Sequence, residues 1–215
     1  MLRKKEGIMV KRIILILVST VLGLQLFFQI TAVFSHNQIQ ASTSFDLSFP
    51  VEIIDLGTLG GETSQASDLD EAGRVVGSSV ISPGGEMRAF WWQEGTILPL
   101  NAADDLATEA YAINEAQIVA GEVISGAGDQ QVISPALWNK GIYTPLSAGD
   151  GKQGSARDIN DSGAAAGHTY EQPGNHILIW QNNPLTETIP SDSGIAQVNG
   201  LNNQKQIVGT IHGET

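Results

Sequence analysis

The sequence predicts an all-β fold: a propeller-like array of four-stranded antiparallel blades, about four of them. Three observations carry that prediction. A twelve-residue phrase occurs four times, at Ala66–Gly77, Ala110–Gly121, Ala156–Gly167 and Val198–Gly209. An apolar run ending in Trp92, Trp138 or Trp180 lies between successive phrases. Beyond the first 34 residues no stretch sustains an i, i+3, i+4 apolar pattern, while short β-branched runs are broken by Gly, Asn, Asp and Pro. Periods of about 40 to 50 residues holding four strands are the signature of propeller blades.

Taken in order, the chain opens with a leader. Arg3, Lys4, Lys5, Lys11 and Arg12 form a basic flank, and Ile13 to Phe34 is mostly apolar. A positive flank before an apolar run marks an export signal, and the run is also about the roughly 20 residues that span a bilayer as a helix. The expectation is a hydrophobic N-terminal helix over residues 1–35, cleaved as a signal peptide or kept as an anchor. Residues 36–44 then read as a linker, and 45–215 as the repeat domain. Positive charge stays inside, so the repeat domain is expected outside the cytoplasm, touching a membrane only through an uncleaved leader.

Each unit reads as four strands. In the first, strand one is Ser64–Leu69, a turn follows at Asp70–Gly73, and strand two is Arg74–Ser79. Strand three is Arg88–Gln93, and strand four is Thr96–Asn101 after a turn at Glu94-Gly95. Asp or Asn opens the first turn in every copy, as a side chain that bonds its own backbone does. The turn Gly recurs at Gly163 but is Gln117 and Lys205 elsewhere, so those copies bear a positive φ at about 1 kcal/mol each or turn differently.

From each Trp to the next phrase the distance is constant (92 to 110, 138 to 156, 180 to 198), whereas phrase Gly to Trp varies (77 to 92, 121 to 138, 167 to 180). The variation comes in steps of two residues. A hairpin lengthened by one residue per strand keeps its facing, whereas a single added residue reverses it. A large aromatic at one place per repeat fits the wedge between neighbouring sheets. Four phrases but three Trp strands leave closure open. Phe45–Phe49 with Val51–Gly57 supply the missing strands of a ring closed by both termini, or the array is an open fragment with a free edge.

Charge and cysteine content exclude several functions. Past residue 12, six basic side chains face 22 acidic ones, a formal balance of −16. Such a surface repels phosphate backbones, which argues against nucleic-acid binding. Cysteine is absent, which removes disulfides, thiolate metal sites and Cys nucleophiles. No phosphate loop, nucleophile elbow or paired metal-His motif is present, and no cofactor is implied.

Asp55-Leu56-Gly57-Thr58-Leu59-Gly60-Gly61, Ala112-Ile113-Asn114 and Ile207-Val208-Gly209 resemble the probable extracellular repeats of the HAF family. The family's His-Ala-Phe signature is partial: Arg88-Ala89-Phe90 keeps two letters, His176-Ile177-Leu178 one and Ser134-Pro135-Ala136 none. The resemblance covers roughly residues 53–213. It implies an exported, propeller-like β protein of uncharacterised role and carries over no catalytic residue.

Asp68-Leu69-Asp70 and Asp158-Ile159-Asn160 share the spacing of half a calcium loop, but the fifth position is Ala72 or Ser162 and no Glu closes the loop. Turn-forming Asx side chains explain all four copies, calcium at most two, so no metal site is assigned. His168 and His176 flank one hairpin, but two His without a third ligand make a weak metal site. Trp91 is doubled beside Trp92 and points to the opposite face, which makes it the aromatic best placed for a ligand.

Length variation on a fixed scaffold is how loops acquire function, so the contact surface is expected on the variable segments Ser78–Met87, Glu122–Ile133 and His168–Asn175. Within and beside them the candidate ligand-binding residues are Glu86, Arg88, Trp91, Glu122, Asp129, His168, Tyr170 and His176. The function expected is a non-catalytic exported binding or scaffold module whose partner is an extracellular protein or glycan. Two alternatives stand beside it. One is a polysaccharide-acting enzyme with carboxylates gathered from several blades; the other is a structural array element that associates through an open edge.

Overall fold

The structure is a computed structural model that describes residues 14–16, 52–102, 106–126, 128–170, 175–190 and 195–212. Strands dominate, with one 3-10 turn at Gly128–Gln130 and no α-helix among the described residues. The chain divides into a unit from Ile13 to Asp55 and a repeat unit that runs on from Leu56.

In the first of these, Ile14–Ile16 (β1) pairs antiparallel with Glu52–Ile54 (β2), setting Ile14 opposite Ile54. These three leader residues are therefore strand, not the helix expected from their place in an apolar run. Their β-branched isoleucines suit a pleated pair. The rest of the expected leader helix, the linker and Phe45–Val51 lie outside the described residues. No described helix is long and apolar enough to cross a membrane.

The repeat unit holds three four-stranded antiparallel meanders. The first sheet is β3 (Ser64–Leu69), β4 (Val75–Val80), β5 (Met87–Gln93) and β6 (Thr96–Pro99). The second is β7 (Ala107–Ile113), β8 (Ile118–Ser125), β9 (Val132–Asn139) and β10 (Ile142–Pro145). The third is β11 (Gly154–Ile159), β12 (Ala164–Thr169), β13 (His176–Gln181) and β14 (Leu185–Pro190). A fourth sheet has two described strands, β15 (Ile195–Leu201) and β16 (Ile207–His212). Of the two segments expected to complete it, Phe45–Phe49 lies outside the described residues, and Val51–Gly57 instead supplies β2, which pairs with β1 and not with this sheet.

The register explains the two-residue steps. Val75 faces Trp92, Val119 faces Trp138 and Ala165 faces Trp180, whatever the length of the hairpin between them. Each phrase also carries a β-bulge just after its small residue: the register skips Ser67, Tyr111, Arg157 and Asn199. The small residue and the final Gly of each phrase are partners across that bulge, Ala66 with Gly77 through Val198 with Gly209. At that pair the two backbones run close together, the setting in which a strand glycine is found. A Cβ on Gly77, Gly121, Gly167 or Gly209 would overlap the carbonyl oxygen of Gln65, Glu109, Ser155 or Gln197.

The sheets stack in sequence order. β7 packs on β4 and β5, β11 on β8 and β9, and β15 on β12 and β13. Between the first two sheets, Val76, Ala89 and Leu100 meet Val119, Ala136 and Trp138. Between the second and third, Ala120, Leu137 and Leu146 meet Ile159, Ala165 and Trp180. Both indoles are fully buried, and each donates its Nε1–H to the preceding repeat, at Asn101 O (2.9 Å) and Ser147 O (2.8 Å). Trp138 and Trp180 are thus inter-sheet wedges.

The Asx turns are alike in all four copies. Asp70, Asn114, Asn160 and Asn202 accept, through Oδ1, the N–H of the residue four on (Arg74, Ile118, Ala164 and Gln206). The turn position has positive φ in every copy: Gly73 (75°), Gln117 (64°), Gly163 (76°) and Lys205 (61°). Gln117 and Lys205 therefore take the strained conformation rather than a different turn.

Candidate functional site

Strand two runs further than the variable segments suggest: β4 reaches Val80, β8 Ser125 and β12 Thr169. The true connections are shorter, and the candidate residues separate accordingly. Glu86 lies exposed in the first connection, and Asp129 lies exposed in the 3-10 turn of the second. Glu122 and His168 are not loop residues. They sit inside β8 and β12 at 5% and 2% exposure.

Arg88 is buried in β5, and its Nη1 donates to Asn101 Oδ1 at 2.9 Å. Trp91 does face away from Trp92, but it packs against the core between the first and second sheets, with the Arg74 guanidinium 5.6 Å from its ring centre. His176 opens β13 half-buried, its backbone N–H donating to Thr169 Oγ1. None of these three joins a common site with the others.

Glu122, His168 and Tyr170 do come together, at the junction of the second and third sheets. Glu122 stands directly opposite Glu109 across β7 and β8. Tyr170, at the end of β12, donates its hydroxyl to Glu122 Oε2 at 2.7 Å, and Tyr111 donates to Glu109 Oε2 at 3.1 Å. The Arg157 guanidinium lies over the Tyr111 ring at 3.9 Å, and His168 meets Tyr170 edge-on at 5.5 Å. Burial pushes the Glu122 carboxyl up, helped by the Glu109 charge and opposed by the Tyr170 hydroxyl. Burial also raises both phenols, Tyr170 to about 12. It holds His168 down to about 4, with Arg157 adding to the effect. The His168 Nδ1 accepts the Val198 N–H at 3.2 Å, which leaves the ring proton on Nε2.

Three members of this cluster escape a linear reading of the phrase: Glu109, Tyr111 and Arg157. Alternation alone sets Glu109 and Tyr111 together, but it does not show that the bulge makes Tyr111 and Arg157 the extra residues of their strands, at equivalent places in consecutive sheets. The signal in the sequence is the large polar residue just after the small one, present in the second and third phrases.

The acids of the half-calcium pattern are turned to N–H donors. Asp68 accepts from Leu69 and, through Oδ2, from Ile113 in the next repeat at 2.9 Å. Asp158 accepts from Ile159 and Leu201 in the same way. These carboxylates bind adjacent repeats to one another. Comparison with protein-family models, curated proteins and solved structures finds no significant match for the chain.

Proposed function

We propose that the chain is an exported, non-catalytic binding module of propeller-like repeat architecture, of the extracellular-repeat type its phrases resemble. Its contact surface is the sheet edge from which the strand-two to strand-three connections emerge, and its partner is an extracellular glycan or protein. One observation carries this reading. Six-residue connections (81–86, 126–131 and 170–175) are carried to three different reaches on consecutive stacked sheets, because the strands that bear them differ in length, and the last two hairpins are tied together at their bases. Tyr170 donates to Glu122 at 2.7 Å, and the Ile133 N–H donates to Gln153 Oε1 at 2.9 Å. Fixed bases with variable tips make a composite surface whose specificity resides in the tips. Tyr170, 37% exposed, offers a phenol ring and hydroxyl at its margin.

A glycan and protein array probed with the purified chain tests this. Alanine at Glu86, Asp129 and Tyr170 should weaken any binding found, while the melting temperature stays unchanged for the two exposed acids. Binding that survives all three substitutions would refute the assignment.

The opposed Glu109 and Glu122 favour one second reading, a polysaccharide hydrolase. Cross-strand partners lie about 5 Å apart at Cβ, near the carboxyl separation of retaining glycosidases. Both carboxylates come from one sheet and are engaged by tyrosines, which suits a repeat-to-repeat clamp better. Release of reducing sugar by the wild type, abolished in Glu122→Gln, would reverse that ranking.

A further inference from the structure

The repeat sheets protect nearly every edge. On one side, β3, β7, β11 and β15 each carry the phrase's bulge, which interrupts a regular pairing edge. On the other side, β6, β10 and β14 each end in proline (Pro99, Pro145 and Pro190), which has no N–H to offer an added strand. The strand β16 has neither device. Its residues, Ile207-Val208-Gly209-Thr210-Ile211-His212, include no proline and no Lys, Arg, Asp or Glu. The bulge in its hairpin belongs to β15. Among the described residues β16 pairs with β15 alone, and Val208 and Ile211 are 64% and 62% exposed. Leu98 and Ile142 are comparably exposed, but their strands end in proline.

We infer that β16 is an association edge and that its occupant is β16 of a second copy of this chain, paired antiparallel about a two-fold axis. The argument for a second copy is self-complementarity. Two β15–β16 hairpins joined edge to edge give the order β15-β16-β16-β15, four antiparallel strands, the same number as in each of the other three sheets of the repeat unit. An antiparallel strand pair about a two-fold is isologous, so the association closes at two copies rather than growing into a fibre. The hydrogen bonds are backbone to backbone, the mode by which an extended strand adds to an exposed sheet edge. One such pair buries less than the roughly 1,600 Å² of a standard interface, so the dimer exchanges with monomer on dilution.

Sedimentation velocity of the full chain over a wide concentration series should show a reversible monomer–dimer equilibrium. Val208→Lys with Ile211→Lys sets like charges across the new sheet. Both positions are exposed in the single chain, so the melting temperature should hold while the dimer disappears. The chain has no cysteine, so Thr210→Cys gives a unique thiol. Mild oxidation should link it into a covalent dimer, whereas Asn203→Cys in the exposed turn should stay monomeric. Alanine at Glu86 and Asp129 should leave association untouched, which keeps this test separate from the hairpin surface. A wild type that is monomeric throughout overturns the inference. So does a dimer that survives both lysines, or strong hydrogen-exchange protection in the monomer of those β16 amides that point away from β15.

Discussion

The side-chain amide of Asn114 donates to the backbone carbonyl of Asn160, one repeat further on, at 2.9 Å. Asn160 does the same to Asn202, also at 2.9 Å. Each Asn therefore shapes its own turn through its oxygen and reaches the next repeat through its nitrogen. In the first copy Asp70 has no amide to donate. Arg74, paired with Asp70, reaches forward instead, to Glu115 O at 3.2 Å. A parallel column sits one residue on: the Glu71 N–H is accepted by Glu115, that of Glu115 by Asp161, and that of Asp161 by Asn203. The recurring Asx is thus a stacking code as well as a turn signal.

Asn160→Asp separates those two roles. The carboxylate keeps the acceptor for Ser162 and Ala164 but cannot donate to Asn202 O. The expected loss is about 1–2 kcal/mol, and Asn160→Ala should cost more because buried turn N–H groups lose their partner as well. Urea denaturation of the three proteins reads the difference. An Asp variant as stable as wild type would show that the inter-repeat bond contributes nothing.

Two glycines with different constraints make a second test. Gly121 faces Ala110 across the bulge, where an added methyl would meet the Glu109 carbonyl and, at 2.9 Å, the Trp138 ring. Gly73 has positive φ but open space around it. Gly121→Ala should therefore destabilise by about 3 kcal/mol or more, as overpacking and backbone displacement add, whereas Gly73→Ala should cost about 1–2. Equal melting temperatures for the two variants would contradict the tight bulge.

Much of the fold was legible because it rests on local signals. Asp70, Asn114, Asn160 and Asn202 open turns wherever they occur, and the two-residue steps between phrase Gly and Trp keep one facing. Hence the strand limits of the first unit, Ser64–Leu69 and Thr96 onward, emerge from the residues alone. The site was less legible because it depends on the bulge and on stacking. The phrase gives no alternation error that would reveal Tyr111 and Arg157 as extra residues. Glu122 and His168 look like loop residues because the strand continues through polar positions that a neighbouring sheet then buries. The isoleucines at 14 and 16 failed for a similar reason: an apolar run after basic residues suits a helix, but the pairing of those three with Glu52–Ile54 lies in distant sequence.

The strained turns offer a gain. Gln117 (64°) and Lys205 (61°) hold the conformation that Gly73 and Gly163 adopt without cost. Replacing either with Gly should stabilise by up to about 1 kcal/mol, the left-handed penalty less glycine's extra unfolded-state freedom. The pair is distant enough for the effects to add, and differential scanning calorimetry on the single and double variants checks this.

Glu122→Gln tests the clamp between the second and third sheets. The amide oxygen still accepts the Tyr170 hydroxyl, and the like charge opposite Glu109 is gone. Directly opposed like charges destabilise a sheet pair, so the variant should gain about 0.5–1 kcal/mol at neutral pH. A loss of stability would mean that the charge itself, through Tyr111 or Arg157, holds the sheets together.

His168 gives the junction a pH dependence whose sign can be worked out. Its folded value is held at about 4, against 6.5 for the ordinary side chain. The unfolded chain therefore binds the extra proton first as pH falls, and stability drops from about pH 6.5 down to about 4. Protonation would also compete with the Val198 N–H for Nδ1 and place a cation beside Arg157. Glu122 acts in the opposite direction: its raised value means that its protonated form favours the fold, so it adds stability as pH falls. The wild-type curve mixes the two, and comparison with His168→Gln isolates the histidine. Wild type should lose on the order of 1–2 kcal/mol more than the variant across that window, a figure discounted for the solvent that reaches the neighbouring tyrosine. Parallel stability curves for the two proteins between pH 7 and pH 4 would remove His168 from the buried junction.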